Sequence, residues 1–129
     1  MNESIMVDNN TDVMHLSMTE EPMLFLHDIS GRITSVNSFT TSMLGFSSEE
    51  LEGTLIQSLL AVDQPFSLGE LLSELREHGV ATRTFEIVGK KMENRRKIFL
   101  VEARAWLVPS NERQVVLLSC MIQSMGEYV

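Results

Sequence analysis

Residues 114–122, near the C-terminal end of the chain, are apolar almost throughout. In an extended strand successive side chains point to opposite faces. Both faces are apolar here: one has Val116, Leu118, Cys120 and Ile122, and the other has Val115, Leu117 and Met121. Such a strand needs cover on both faces. The rest of the chain must supply that cover, or a second molecule must supply part of it.

Two short runs with strand character, residues 23–26 and 33–36, flank a tight polar turn. Asp28 and Ser30 supply the turn chemistry, and Gly31 is free to adopt a positive φ. Two such runs, separated by a few residues that include glycine, predict a β-hairpin at this end of the chain.

The C-terminal half has the two-residue period of β-strands. Residues 82–88 alternate between apolar and polar side chains, and residues 97–108 have one face that is apolar throughout. Residues 109–111, with the sequence Pro-Ser-Asn, predict a turn before the apolar run at 114–122. We therefore expect three consecutive strands.

Several short helices are predicted between the hairpin and these strands. Asn37 precedes apolar residues at helical spacing, which is typical of an N-cap, and Gly45 ends that helix. Ser47 and Glu50 fit a capping box. A second Ser-x-x-Glu box starts a clearer helix at residues 68–78, which has leucines on one face and glycine after its end.

The resulting order is two strands, several short helices and three strands. Strands grouped apart from helices favour an α+β fold with an antiparallel sheet. We predict five strands, with the helices packed on one face of the sheet.

Length and composition fit one globular domain with a hydrophobic core, since the chain has 129 residues of which 43% are hydrophobic and 22% charged. The predicted organisation is an acidic leader at residues 1–21, a domain at residues 22–124 and a C-terminal tail at residues 125–129. An Asn-Asn-Thr-Asp stretch at residues 9–12 offers N-caps, so an amphipathic cap helix can follow it within the leader.

The net charge of −8 is unevenly distributed, because residues 1–21 contain five acidic residues and no lysine or arginine. The rest of the chain has nearly equal numbers of acidic and basic residues, so it offers no basic patch of the kind that binds nucleic acid. The chain lacks an apolar run of the roughly 18 residues that span a bilayer, and its N-terminus does not match a secretory signal. One cysteine, Cys120, excludes an internal disulfide. We predict a cytoplasmic protein without membrane or nucleic-acid partners.

The order of elements, together with two motifs, resembles the PAS sensor family over about residues 21–122. Residues 28–37 follow the pattern D-x-x-G-x-I-x-x-x-N, and residues 44–53 have the sequence LGFSSEELEG, which is close to the family's leucine, glycine, aromatic and EEL-x-G wording. The Asp-Ile-Thr that often ends the last strand is replaced by Met-Ile-Gln-Ser at residues 121–124.

The resemblance implies a five-stranded antiparallel sheet, with a space for a small apolar ligand between the sheet and the helices. We predict that this space is lined by apolar side chains from both layers: Phe39, Met43, Leu59, Leu71, Leu75, Phe99, Val101 and Leu118. The identity of the ligand, or its presence, is left open by the sequence.

The sequence lacks the residues that the known PAS cofactors flavin and haem would need at the expected places. A light-oxygen-voltage flavin domain needs a reactive cysteine in the helical segment, but residues 54–60 contain none. Haem needs an axial ligand, usually a histidine. His78 is the one candidate on the long helix, and its place beside Gly79 is better explained by interaction with the helix end. We therefore expect neither group.

The resemblance also implies a dimer, because PAS domains commonly pair through the sheet face that the helices leave free. We predict a cap and dimer surface made of leader and strand residues: Val13, Met14, Leu16, Met18, Val115, Leu117 and Met121.

Catalytic and metal-binding motifs are absent from the sequence, so we expect a regulatory domain and not an enzyme. The first hypothesis is a PAS sensory and dimerisation module of a signalling protein such as a histidine kinase. The alternative is a ligand-free adaptor of the same fold that binds another protein through its sheet.

Overall fold

The computed structural model describes residues 21–110 and 113–128. Its strands are β1 (Met23–Asp28), β2 (Ile33–Val36), β3 (Val80–Val88), β4 (Arg96–Ser110) and β5 (Arg113–Tyr128). They form one antiparallel sheet in the order β2-β1-β5-β4-β3. Between β2 and β3 lie α1 (Ser38–Leu44), α2 (Ser48–Leu51), a 3₁₀ helix (Ile56–Leu59) and α3 (Leu68–His78). The predicted α+β fold class is confirmed.

The apolar run at 114–122 lies in the first part of β5, the central strand, with β1 on one side and β4 on the other. Its inward side chains, Val116, Leu118, Cys120 and Ile122, are all buried in the hydrophobic core. The helices cover this face: Leu71 and Leu75 of α3 belong to the same core. Burial against the helices explains why the inward face of β5 is apolar, but it does not explain the apolar outer face.

The last two strands are longer than predicted. Residues 125–128, which were expected in a C-terminal tail, belong to β5 and pair with the first residues of β4. Pro109 and Ser110, which were expected in a turn, belong to β4 and pair with Gln114 and Arg113. Backbone hydrogen bonds between β4 and β5 hold both extensions in the sheet, although their side chains do not alternate between apolar and polar.

The β1–β2 hairpin forms as predicted. A carboxylate oxygen of Asp28 accepts hydrogen bonds from the backbone N–H groups of Ser30 and Arg32, both at 2.9 Å. Gly31 has a φ of +93°. Burial raises the pKa of the Asp28 carboxyl group, but the hydrogen bonds from Ser30 and Arg32 together outweigh this effect, so the pKa lies below its ordinary value. The turn residues recognised at 28–31 therefore form a turn that the side chain of Asp28 stabilises by hydrogen bonds to the backbone.

The predicted helix ends are also present. Asn37 caps α1, and Gly45 follows it in the left-handed conformation. Ser47 and Glu50 form the reciprocal capping box of α2. At the start of α3 the side chain of Ser67 accepts a hydrogen bond from the backbone N–H of Glu70. This is the serine half of the capping box that was predicted there, and it is confirmed.

The longest helix in residues 21–110 and 113–128, α3, has 11 residues. None of the helices in these ranges is long and apolar enough to cross a membrane.

Candidate functional site

The predicted pocket residues lie where the sheet meets the helices. Six of them are buried in the core: Leu59, Leu71, Leu75, Phe99, Val101 and Leu118. Phe39 and Met43, both in α1, are partly buried against it. The structure thus brings together the two layers from which the set was chosen. That these residues line a ligand space stays a prediction.

His27 is the most unusual member of this interior. It follows Met23 and Phe25 on the inward face of β1, and its side chain is fully buried. Its Nδ1 lies 2.8 Å from the backbone oxygen of Asp28, so Nδ1 carries the proton of the neutral ring. Nε2 has no hydrogen-bond partner among the described residues. Burial lowers the pKa of His27, which keeps the imidazole neutral.

His27 was not among the interior residues predicted from the sequence. The residue stands in phase with Met23 and Phe25, and that period-two spacing was the available signal. It was missed because a histidine interrupts an otherwise apolar face.

The remaining chemically interesting side chains are placed apart from one another. His78 is exposed at the end of α3, 3.6 Å from the carboxylate of Glu77, so it does not point into the core. Cys120 is buried in β5, and burial raises the pKa of its thiol. Across residues 21–110 and 113–128, no three of the histidine, cysteine, aspartate and glutamate side chains are grouped closely enough to hold a metal ion.

The outer face of the sheet carries an apolar row that crosses four strands. Leu26 in β1 pairs with Leu117 in β5, Leu117 pairs with Trp106 in β4, and Trp106 pairs with Val80 in β3. Val80 is 42% exposed, and the other three are half-buried. The polar pair Arg104 and Thr82 lies one row further along.

A shallow groove of about 170 Å³ adjoins this row on the β2 side. The groove is lined from β1 and β5 by Leu24, Phe25, Leu26 and Leu117, and from the end of the hairpin by Ser35, Val36 and Asn37. Of the predicted cap and dimer surface, Val115, Leu117 and Met121 are on this outer face of β5. Val13, Met14, Leu16 and Met18 lie outside the described residues.

Sequence reasoning did not include Leu24, Leu26, Trp106 or Val80 in the outer surface. Alternation alone puts Trp106 on the side of residues 97–108 that is opposite their apolar face, where it stands among polar side chains such as Glu102 and Arg104. The row appears only when the register of four strands is known, and local patterns do not determine the register between distant strands.

A second cavity, of about 610 Å³, lies at one end of the sheet, and Met43 lines it. Its other walls come from the β3–β4 loop and from the ends of β4 and β5. Only Met43 of the eight predicted pocket residues contributes to it.

Comparisons with known proteins agree with this architecture. The family model described as PAS fold matches residues 5–125. A search of curated protein sequences found no match.

Many solved structures are similar in fold. A PAS domain from a two-component sensor histidine kinase is 21% identical, with a TM-score of 0.62, over 84% of this chain and 91% of that one. A PAS domain of a Desulfitobacterium hafniense protein is 18% identical, with a TM-score of 0.64, over 84% and 98%. The LOV domain of the Erythrobacter litoralis EL346 blue-light activated histidine kinase is 16% identical, with a TM-score of 0.62, over 80% and 96%. At these identities the likeness shows the fold alone.

Proposed function

Because the chain belongs to the PAS fold family, we propose that it is the sensory and dimerisation module of a signal-transduction protein such as a histidine kinase. PAS domains are in general regulatory, and solved neighbours come from sensor kinases. The module relays ligand occupancy or dimer geometry through the outer sheet face to an effector domain or partner protein. The single buried cysteine supports a reducing, cytoplasmic location.

The observation that carries this proposal is the apolar row on the outer face. Its members come from four strands and converge at Leu117 and Trp106, next to the groove at Leu24 and Leu26. A contiguous apolar surface of this kind is typical of an interaction site. We propose that the leader residues Val13, Met14, Leu16 and Met18 pack on it together with a second copy of the chain, and that the sensory domain itself spans residues 22–124.

The test compares two variants that each add one carboxylate to the outer face of β3. Val80→Glu puts the charge in the apolar row, at a residue exposed enough to leave the fold intact. Thr82→Glu puts it opposite Arg104, where it meets a favourable partner. Sedimentation equilibrium of the full chain should show dimerisation weakened about tenfold or more by Val80→Glu and unchanged by Thr82→Glu. A wild-type chain that stays monomeric at high concentration contradicts the dimerisation part of the proposal.

The ligand-free adaptor remains the second candidate, and the filled interior favours it. Phe99, Val101 and Leu118 are at most 1% exposed, and Leu71 and Leu75 pack in the same core. An interior closed by large side chains needs no small molecule. A ligand that stays with the purified protein excludes this candidate.

A further inference from the structure

The 610 Å³ cavity at the end of the sheet, here called the end cleft, shares only Met43 with the predicted ligand space and no residue with the groove on the outer face. Residues 42–45, at the end of α1, form one wall. The β3–β4 loop forms a second wall, and Lys97 of β4 and Glu127 of β5 form the third. Its volume is within the range of about 300–1,000 Å³ that is usual for small-molecule sites.

Three cationic side chains line this cleft together with the carboxylates of Glu93 and Glu127, in a chain whose net charge is −8. Half of the ten lysine and arginine residues lie within residues 90–97. Lys90, Arg95 and Lys97 line the cleft, whereas Lys91 and Arg96 do not. Strand alternation explains the position of Arg96, because Lys97 and Arg96 are neighbours on β4 and point to opposite faces.

The loop that carries these cations is held by its own backbone. Met92 N–H donates to the carbonyl oxygen of Arg95 at 2.7 Å, and Arg95 N–H donates to that of Met92 at 2.9 Å. Glu93 and Asn94 both have positive φ, of 52° and 65°. This tight turn uses none of the cationic side chains, so they are available for other contacts.

The cations of the cleft are engaged to different degrees. Lys90 Nζ donates to a carboxylate oxygen of Glu50 at 2.7 Å, which fixes its position at the wall. The distance between Arg95 Nη1 and Glu127 Oε1 is long for an ion pair, at 3.4 Å, and the two side chains are 66% and 46% exposed. An exposed pair of this geometry contributes little stability. Another carboxylate can therefore replace Glu127 at Arg95.

Apolar surface lies beside the charge. Met43 and Leu44 line the cleft from α1, and Met92 lines it from the loop with 59% of its surface exposed. Methionine side chains adapt to irregular apolar ligands. The cleft thus offers cations for an anionic group and flexible apolar side chains for a chain attached to it.

We propose that the end cleft binds a small carboxylate with a short apolar chain. Arg95 and Lys97 bind the carboxylate, and Met43 and Met92 pack against the chain. Binding displaces Glu127 from Arg95 and so changes how the last residues of β5 are tied to the β3–β4 loop. The site shares Met43 with the predicted interior, whereas Arg95, Lys97 and Met92 belong to neither the interior nor the dimer surface, so its test does not depend on those two sites.

Methionine methyl groups provide the test, since the cleft contains two of them. The full chain, labelled with ¹³C at its methionine methyl groups, is titrated with octanoate and observed by NMR, with signals assigned by single Met→Leu substitutions. The methyl signals of Met43 and Met92 should shift and saturate, whereas that of the buried Met23 should not move. Absence of saturable shifts at Met43 and Met92 overturns the proposal.

A charge-matched pair of double variants separates the cleft from general electrostatic attraction. Arg95→Gln with Lys97→Gln should weaken octanoate binding about tenfold or more. Lys91→Gln with Arg96→Gln removes the same charge from the same eight residues and should leave affinity within about twofold, because neither side chain lines the cleft. Equal losses in both variants overturn the assignment.

Two further measurements test the roles of the acid and of the ligand charge. Glu127→Gln removes the competing carboxylate and should tighten octanoate binding. Octan-1-ol, which has the same chain without the charge, should bind at least about tenfold more weakly than octanoate. Weaker octanoate binding to Glu127→Gln, or octan-1-ol binding as tight as that of octanoate, contradicts the proposal.

Discussion

The side-chain oxygen of Asn37 accepts a hydrogen bond from the backbone N–H of Leu24 at 3.1 Å. The same oxygen accepts from the backbone N–H of Thr40 at 3.0 Å, which makes Asn37 the N-cap of α1. Its amide nitrogen donates to the carbonyl oxygen of Pro22 at 3.1 Å. One side chain therefore joins the start of β1, the end of the hairpin and the first helix.

Asn37→Ala should destabilise the domain by about 2 kcal/mol, because it removes the helix cap and leaves partly buried backbone groups of Leu24 and Pro22 unpaired. Chemical denaturation measures the change. Asn37→Asp keeps the accepting oxygen and should fall between the wild type and Asn37→Ala. Ser38→Ala, at the adjacent exposed position, should change stability by less than about 0.5 kcal/mol. Equal stability of Asn37→Ala and Ser38→Ala would contradict the role of Asn37.

Gly31→Ala should cost stability for two separable reasons. The positive φ of Gly31 is unfavourable for alanine by about 1–2 kcal/mol, and the added Cβ meets the side-chain amide of Gln57. Gln57→Ala removes the second cause and leaves the first. In a double-mutant cycle, Gly31→Ala should therefore cost less in the Gln57→Ala background than in the wild type. An identical cost in both backgrounds would show that the contact with Gln57 does not matter.

His27 predicts a pH dependence of stability. Burial lowers its pKa below the ordinary value of 6.5, so the unfolded chain takes up a proton more readily than the folded one. Stability should be full above about pH 6.5 and should fall as the pH drops toward the folded pKa. His27→Leu removes both the titration and the unpartnered Nε2.

Denaturation midpoints at pH 7.5, 6.5 and 5.5 measure this effect. The wild type should lose more stability over this range than His27→Leu does. His78→Gln, at the exposed histidine of α3, should keep the wild-type slope. The same slope in all three proteins would rule out His27 as its source.

Cys120 should be unreactive in the folded protein. Burial raises the pKa of its thiol, and the attacking species in disulfide exchange is the thiolate. A chromogenic disulfide reagent at pH 8 should label the native chain only as fast as it unfolds, and should label the denatured chain at once. Rapid labelling under native conditions would mean that the centre of β5 is accessible.

Much of the fold followed from local signals. Ser47 with Glu50, and Asn37 with Gly45, mark helix ends through short-range hydrogen bonds that a sequence displays directly. The limits of β4 and β5 did not follow, because residues 125–128 are held by pairing with Arg96–Phe99 and not by their own side-chain pattern.

The candidate surfaces were predicted less completely, because they depend on register. The pattern of its sequence neighbours was enough to place Leu117 on the outer face. Its partners in the sheet are distant in the chain: Leu26 precedes it by 91 residues and Trp106 by 11. In residues 90–97 the sequence shows five cationic side chains but not which of them share a face. Their division into cleft-lining and outward cations became visible once β4 fixed which side chains share a face.

Native mass spectrometry of the freshly purified chain, with a denatured control, tests the central claim most directly. One spectrum reports both the oligomeric state and any bound small molecule. A sensory and dimerisation module predicts a species at twice the chain mass of 14.6 kDa, with added mass that disappears on denaturation when a ligand occupies the interior. A monomer without added mass at every concentration tested would contradict it.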